Sequence, residues 1–263
     1  MLLNREECAN LPIPLQALEK IPSSASDNWW GVGPTRLAAE SLPGLSVSSD
    51  RLWNALVDLK RLRRTDRSVR KATNYSGLGI DGIPVDEWDA ELPEKTHLGF
   101  EDFTARLLRK HRAKEFFLLI NNFQLVLPKP FRNCCSDLQH LLGDFRGKRR
   151  GIARVKSPIT LGVIVSNCLK SPTGIHMDPN HAFLQPILGE KRMRFWPLRA
   201  IKKTEIGLLD IASLKPESRV IESGAGAIIY WPSNWWHMAD ERSRKTRACL
   251  VLCVQAQDGV RQL

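Results

Sequence analysis

The chain has 263 residues, 43% of them hydrophobic and 25% charged, a balance that builds a folded core and excludes general disorder. No apolar run reaches the ~18–20 residues of a membrane span; the longest, Phe116 to Leu127, is interrupted by Asn121, Asn122 and Gln124. The net charge of +11 leaves open an anionic partner, which includes nucleic acid, acidic peptide or an anionic carrier.

Residues 1–98 read as a helical and loop extension. The N-terminus lacks the cationic and apolar regions of a signal peptide, so a cytoplasmic protein is expected. Stretches rich in Pro, Ser and Gly, such as Ile21-Pro-Ser-Ser-Ala-Ser, alternate with one convincing helix after Ser48-Ser49-Asp50. Leu52, Leu56 and Leu59 give that helix its apolar stripe, and Asp50 suits the N-cap. Residues 72–95 are acidic and turn-rich. Gly77-Leu-Gly79-Ile-Asp-Gly82 spells a dinucleotide-type glycine motif, but it follows no apolar strand and Ile83-Pro84 follows it in place of a helix; a loop is expected.

From Gly99 the pattern changes, and residues 99–263 read as a second unit. Phe100, Phe103, Leu107 and Leu108 mark an amphipathic helix, Glu115–Asn121 a strand, and Ser136–Gly143 a short helix ending on its glycine. Strand signals then recur at Ile152–Val155, Ile159–Val165, His181–Ile187, Arg192–Trp196, Arg219–Glu222, Ala227–Trp231, Trp235–Met238 and Ala248–Val254. Many short strands punctuated by Gly and Pro indicate a mainly β fold, a sandwich or barrel of which the jelly roll is one form.

The six cysteines (8, 134, 135, 168, 249 and 253) show no C-x-x-C spacing and are expected to be free thiols. Two basic clusters stand out, Lys60 to Lys71 and Arg146 to Arg150. Neither sits in a helix-turn-helix, RRM or finger pattern, so a solvated basic face is favoured over a nucleic-acid site.

His176 and Asp178 are two residues apart, and His237 follows in Pro232-Ser-Asn-Trp-Trp-His237. The His-x-acid pair alone means little, since about 0.6 such pairs arise by chance in this composition. In an extended strand, however, positions i and i+2 share a face. Gly224-Ala-Gly226 can turn into the strand Ala227–Trp231, and Pro232-Ser-Asn234 can turn again to deliver His237 from an antiparallel neighbour. Two imidazoles and a carboxylate on one face leave the other face of a metal open, the arrangement that suits Fe(II) and dioxygen. Eight tryptophans are many for this length. Trp196, Trp231, Trp235 and Trp236 crowd this region, with Trp236 expected nearest the metal; Trp29 and Trp30 are candidates to cover the pocket mouth.

Thr173-Gly-Ile-His176-Met-Asp178, Leu188-Gly-Glu-Lys191-Arg-Met-Arg-Phe195-Trp-Pro197 and Gly226-Ala-Ile-Ile-Tyr-Trp-Pro232-Ser-Asn-Trp-Trp-His237 resemble the JmjC-type cupins, which are Fe(II)/2-oxoglutarate-dependent protein hydroxylases and their relatives. The resemblance covers roughly residues 99–256. It implies a double-stranded β-helix core, iron on His176, Asp178 and His237, and O2 and 2-oxoglutarate as cosubstrates. It also implies that Lys191 and Thr173 hold the distal carboxylate of 2-oxoglutarate. Alternation along the strand supports an inward Lys191, placing it with Met193 and Phe195 and the arginines opposite. The last strand, Ala248–Val254, lacks the asparagine that some members place near the cosubstrate. Only nine residues follow Val254, so the family's C-terminal helical dimerisation region is not expected and the oligomeric state stays open. The Asp ligand and the lack of a zinc-binding reader module favour hydroxylation of a peptide, protein or carrier-bound amino acid over lysine demethylation. A metal cupin without 2-oxoglutarate, such as a lyase or isomerase, and a non-catalytic basic interaction protein are the competing readings.

Overall fold

The structure, a computed structural model, describes residues 33–146 and 159–255. Strand β1 (Thr35–Ala38) leads to helices α1 (Ser49–Thr65) and α2 (Arg67–Ala72), then to strands β2 (Gly77–Ile80) and β3 (Ile83–Val85). Helix α3 (Phe100–His111), strand β4 (Phe116–Ile120) and helix α4 (Pro128–Arg146) follow. The remainder is β5 (Ile159–Ser166), β6 (Asn180–Leu188), β7 (Lys191–Trp196), β8 (Arg219–Ser223), β9 (Ala227–Trp231), β10 (Trp236–Ala239) and β11 (Arg247–Gln255).

The strands form two antiparallel sheets, one of eight strands in the order β1-β9-β6-β11-β5-β4-β2-β3 and one of three in the order β10-β7-β8. From β5 onward the chain passes repeatedly between them. β5, β6, β9 and β11 lie in the large sheet; β7, β8, β10 and the segment around His176 belong to the small one. That winding is a double-stranded β-helix, the jelly-roll core expected of the sequence.

Alternation along the strands sorts the apolar residues into layers. On one face of β11, Leu250, Leu252 and Val254 pack with Phe183 and Tyr230 against Leu52, Leu56 and Leu59 of α1 and Phe103 and Leu107 of α3. On its other face, Cys249 and Val251 join Leu184, Met193, Phe195, Ile229 and Trp231 between the two sheets. A third cluster, Ile175, Trp196, Ile201, Ile211, Leu214 and Met238, covers the outside of the small sheet. The core below α1 therefore runs without a break from residues before Gly99 to β11.

Several local expectations are corrected. Ser48, not Asp50, caps α1, its hydroxyl accepting from the Arg51 amide at 3.2 Å, because Asp50 already lies in the first turn. The glycine-rich motif is a β-hairpin rather than a loop: Asp81 and Gly82 both adopt positive φ (46° and 79°), as a tight two-residue turn between twisted strands requires. Asp81 also takes the Lys114 and Glu115 amides on its carboxylate at 3.0 and 2.9 Å, tying the hairpin to β4. Helix α4 begins at Pro128 and continues past Gly143 to Arg146. The remaining strand expectations from Ile159 onward coincide with β5–β11. The expected strand Ile152–Val155, the basic residues after Arg146, Cys8 and Trp29–Trp30 lie outside the described residues. Among the described residues no helix is long and apolar enough to cross a membrane.

Candidate metal centre

His176, Asp178 and His237 come together at the end of the space between the sheets. Each offers a ligand atom, and these atoms lie within 4.8 Å of one another. His176 lies in an isolated antiparallel bridge and not in the extended strand expected of the sequence: its amide donates to the His237 carbonyl at 3.1 Å and its carbonyl accepts from the His237 amide at 2.8 Å. Irregular chain on either side of the bridge leaves Asp178 free to turn towards His237, whose Nε2 sits 3.3 Å from its Oδ2. The bridge depends on Gly174. It has φ +62°, and a Cβ there would collide with the Gly207 carbonyl, whose amide donates to Ile175 O at 2.8 Å.

The hydrogen bonds fix which imidazole nitrogen is available. His176 Nδ1 lies 2.9 Å from the Gly174 carbonyl and His237 Nδ1 lies 3.2 Å from the Trp235 carbonyl. A carbonyl can only accept, so each Nδ1 carries a proton and Nε2 is the atom each ring can offer a metal. Burial and then the neighbouring His237 push the His176 pKa down, against the pull of Asp178, so this ring is neutral at neutral pH, as a metal ligand must be. Burial disfavours the Asp178 carboxylate, but the adjacent His237 and its hydrogen bond, then His176, outweigh it and hold the pKa below the usual range. The donor set is therefore two imidazole nitrogens and one carboxylate oxygen on one side of a space, and it fits a redox-active divalent metal with open positions. No fourth His, Cys, Asp or Glu joins this group among the described residues.

Thr173 is brought beside the site on the Nδ1 side of His176, its hydroxyl 3.1 Å from that nitrogen and 2.6 Å from Ser171 Oγ. Lys191 points inward with Met193 and Phe195, and all three are buried. Phe195 stands opposite His237 in the β7–β10 register, so about 13 Å of strand separates that pair from Lys191. Its ammonium is 3.1 Å from Glu241, whose other oxygen is 3.4 Å from Arg247 Nε. These three side chains are each no more than 6% exposed. Glu241 and Arg247 escaped the sequence reading. The first lies in a loop without periodicity; the second, at the start of β11, could have been noticed as a cation preceding an apolar run.

The aromatic expectation is also revised. Trp231 and Phe195 flank His237, with ring centroids 4.9 and 6.2 Å away. Trp236, adjacent in a strand to His237, faces the opposite way and donates its indole N–H to the Leu198 carbonyl at 3.1 Å. The five described cysteines are free. Burial pushes the Cys249 thiol up to about 11 and the Cys253 thiol up to about 12.

No protein-family model matches the chain. No curated protein matches it either. Among solved structures, one concerned with the substrate binding mode and a reaction specificity switch in oxalate decarboxylase shares 18% identity over 38% of this chain and 23% of its own, with a TM-score of 0.27. Oxalate decarboxylase from Bacillus subtilis at pH 4.6 shares 17% over 38% of this chain and 22% of its own, with a TM-score of 0.28. The E. coli protein ycfD shares 14% over 89% of this chain and 52% of its own, with a TM-score of 0.43. The chain thus spans about half the length of ycfD and under a quarter of the two decarboxylase chains. The jelly-roll core and its His-Asp-His group together fit a metal-binding cupin.

Proposed function

We propose that this protein is an Fe(II)- and 2-oxoglutarate-dependent oxygenase that hydroxylates an amino-acid side chain in a peptide, protein or carrier-bound substrate. The observation that carries this reading is the convergence of His176, Asp178 and His237, with each Nδ1 held by a backbone carbonyl so that Nε2 is the atom each ring offers. Bound there, Fe(II) supplies the redox chemistry by which O2 and 2-oxoglutarate become succinate and carbon dioxide while a substrate C–H becomes C–OH.

The protein's own part is placement and exclusion of water. The Gly174 and Trp235 carbonyls hold the imidazoles in the ligating tautomer. Lys191 and Arg247 oppose a single carboxylate, Glu241, so the buried cluster carries an excess positive charge that the far carboxylate of 2-oxoglutarate would neutralise. Thr173 supplies a hydroxyl beside His176. Trp231 and Phe195 shield the His237 side.

A second reading, a metal cupin that does not use 2-oxoglutarate, is favoured by one observation: Glu241 already lies against the Lys191 ammonium. Incubation with Fe(II), 2-oxoglutarate, ascorbate and candidate substrates separates the two. The oxygenase produces succinate above a His176→Ala control, and Lys191→Met raises its apparent KM for 2-oxoglutarate at least ~10-fold, the value of about 1.4 kcal/mol in a charge-assisted contact. Succinate at the control level with every candidate contradicts the oxygenase.

A further inference from the structure

Helix α2 and the end of α1 present a cationic surface that the metal centre does not use. Arg67, Arg70, Lys71 and Asn74 follow the i, i+3, i+4, i+7 spacing of one helical face. They line a shallow, open depression of the surface. Arg64, Arg67, Arg70 and Lys71 are exposed. The nearby carboxylates are engaged elsewhere. Asp66 caps α2, accepting from the Ser68 and Val69 amides at 2.8 and 3.3 Å, and Asp58 sits 3.6 Å from Arg61. Among the described residues no carboxylate lies within ion-pair distance of the three cations in the depression.

The surface is also held rigidly from below. The buried Arg63 guanidinium donates to the Thr73 hydroxyl and to the Arg70 carbonyl, contacts Asp89 at 3.3 Å and lies 4.6 Å over the Trp88 ring. α2 is thereby pinned to α1 and to the segment before α3. Tyr75, which follows Asn74, is 47% exposed.

We propose that this face binds single-stranded nucleic acid, its phosphates taken by Arg67, Arg70 and Lys71 and an unpaired base stacking on Tyr75. Arginine forks match phosphate oxygens, and Tyr75, exposed and next in the chain to Asn74, offers a ring that a base can stack on and an acidic peptide has no use for. A six-residue helix offers nothing long enough to enter a duplex groove, whereas a flexible strand can follow the curved surface of α2.

The assignment is independent of the metal centre. Its test is fluorescence anisotropy of labelled oligouridine RNA with the full chain over a salt series. The wild type binds and weakens as salt rises. Arg67→Gln/Arg70→Gln/Lys71→Gln lowers the log–log salt slope by about 2, three contacts at ~0.7 each, and loses at least roughly 10-fold in affinity at physiological salt. Tyr75→Ala weakens binding roughly 10-fold with the slope unchanged. The control Arg109→Gln/Arg112→Gln/Lys114→Gln, which removes equal charge from exposed positions elsewhere, keeps near-wild-type affinity. The proposal is overturned by no wild-type binding at low salt, by an equal loss in the control, or by oligoglutamate or duplex DNA binding as tightly as the RNA.

Discussion

Asp240 shows how a single carboxylate holds the small sheet in shape beside the metal centre. Its Oδ2 lies 2.6 Å from Arg192 Nη1 and 2.8 Å from Arg194 Nη2, and its amide donates to the Arg192 carbonyl at 3.1 Å. Burial opposes its charge, but the hydrogen bonds from Arg194 and Arg192 prevail and lower its pKa. The unfolded chain then binds more protons in acid. The stabilisation is complete above the ordinary carboxylate pKa of about 3.9 and disappears as pH falls through the lower folded value. Asp240→Ala leaves the buried Arg194 without its counter-ion and is expected to cost about 3–5 kcal/mol at neutral pH, a difference that acid melts show shrinking below about pH 4. The triad was legible in the sequence because ligand chemistry demands particular residue types at particular spacings. Glu241 was not, since the partner of a buried lysine is set by tertiary packing.

At the scale of elements, periodicity carried the reading where one face of a segment meets the core. α1, α3 and the strands from β5 to β11 have such faces. It failed where turn chemistry or short pairing decides the structure. β2 and β3 have four and three residues, too few to show alternation, and form because Asp81-Gly82 closes the turn and β4 supplies a neighbour. The α1 cap is a further case: three capping-competent residues stand together, and the structure selects the first, Ser48. Ser48→Ala is expected to cost about 1 kcal/mol in thermal or urea unfolding, whereas Asp50→Ala, removing only a first-turn charge, costs roughly half of that or less.

At the scale of the whole molecule, the described residues share cores across the boundary that composition suggested at residues 98 and 99. Leu52, Leu56 and Leu59 pack in one cluster with Phe183, Tyr230 and Leu250. Leu56→Ala is therefore expected to destabilise the jelly roll itself by about 2–5 kcal/mol, with α1 and the sheets unfolding in one transition. A first transition confined to helical signal would contradict that coupling. Strands β1–β3 precede Gly99 and helices α3 and α4 follow it, so the change of composition there marks no change of layer.

The central claim is that His176, Asp178 and His237 hold one metal ion. Anaerobic titration of the purified chain with Fe(II), read by calorimetry and by metal content after desalting, tests it most directly. One equivalent per wild-type chain is predicted, and none for His176→Ala/His237→Ala with an unchanged circular dichroism spectrum. Equal iron retention by wild type and the double variant, or none by either, would contradict it.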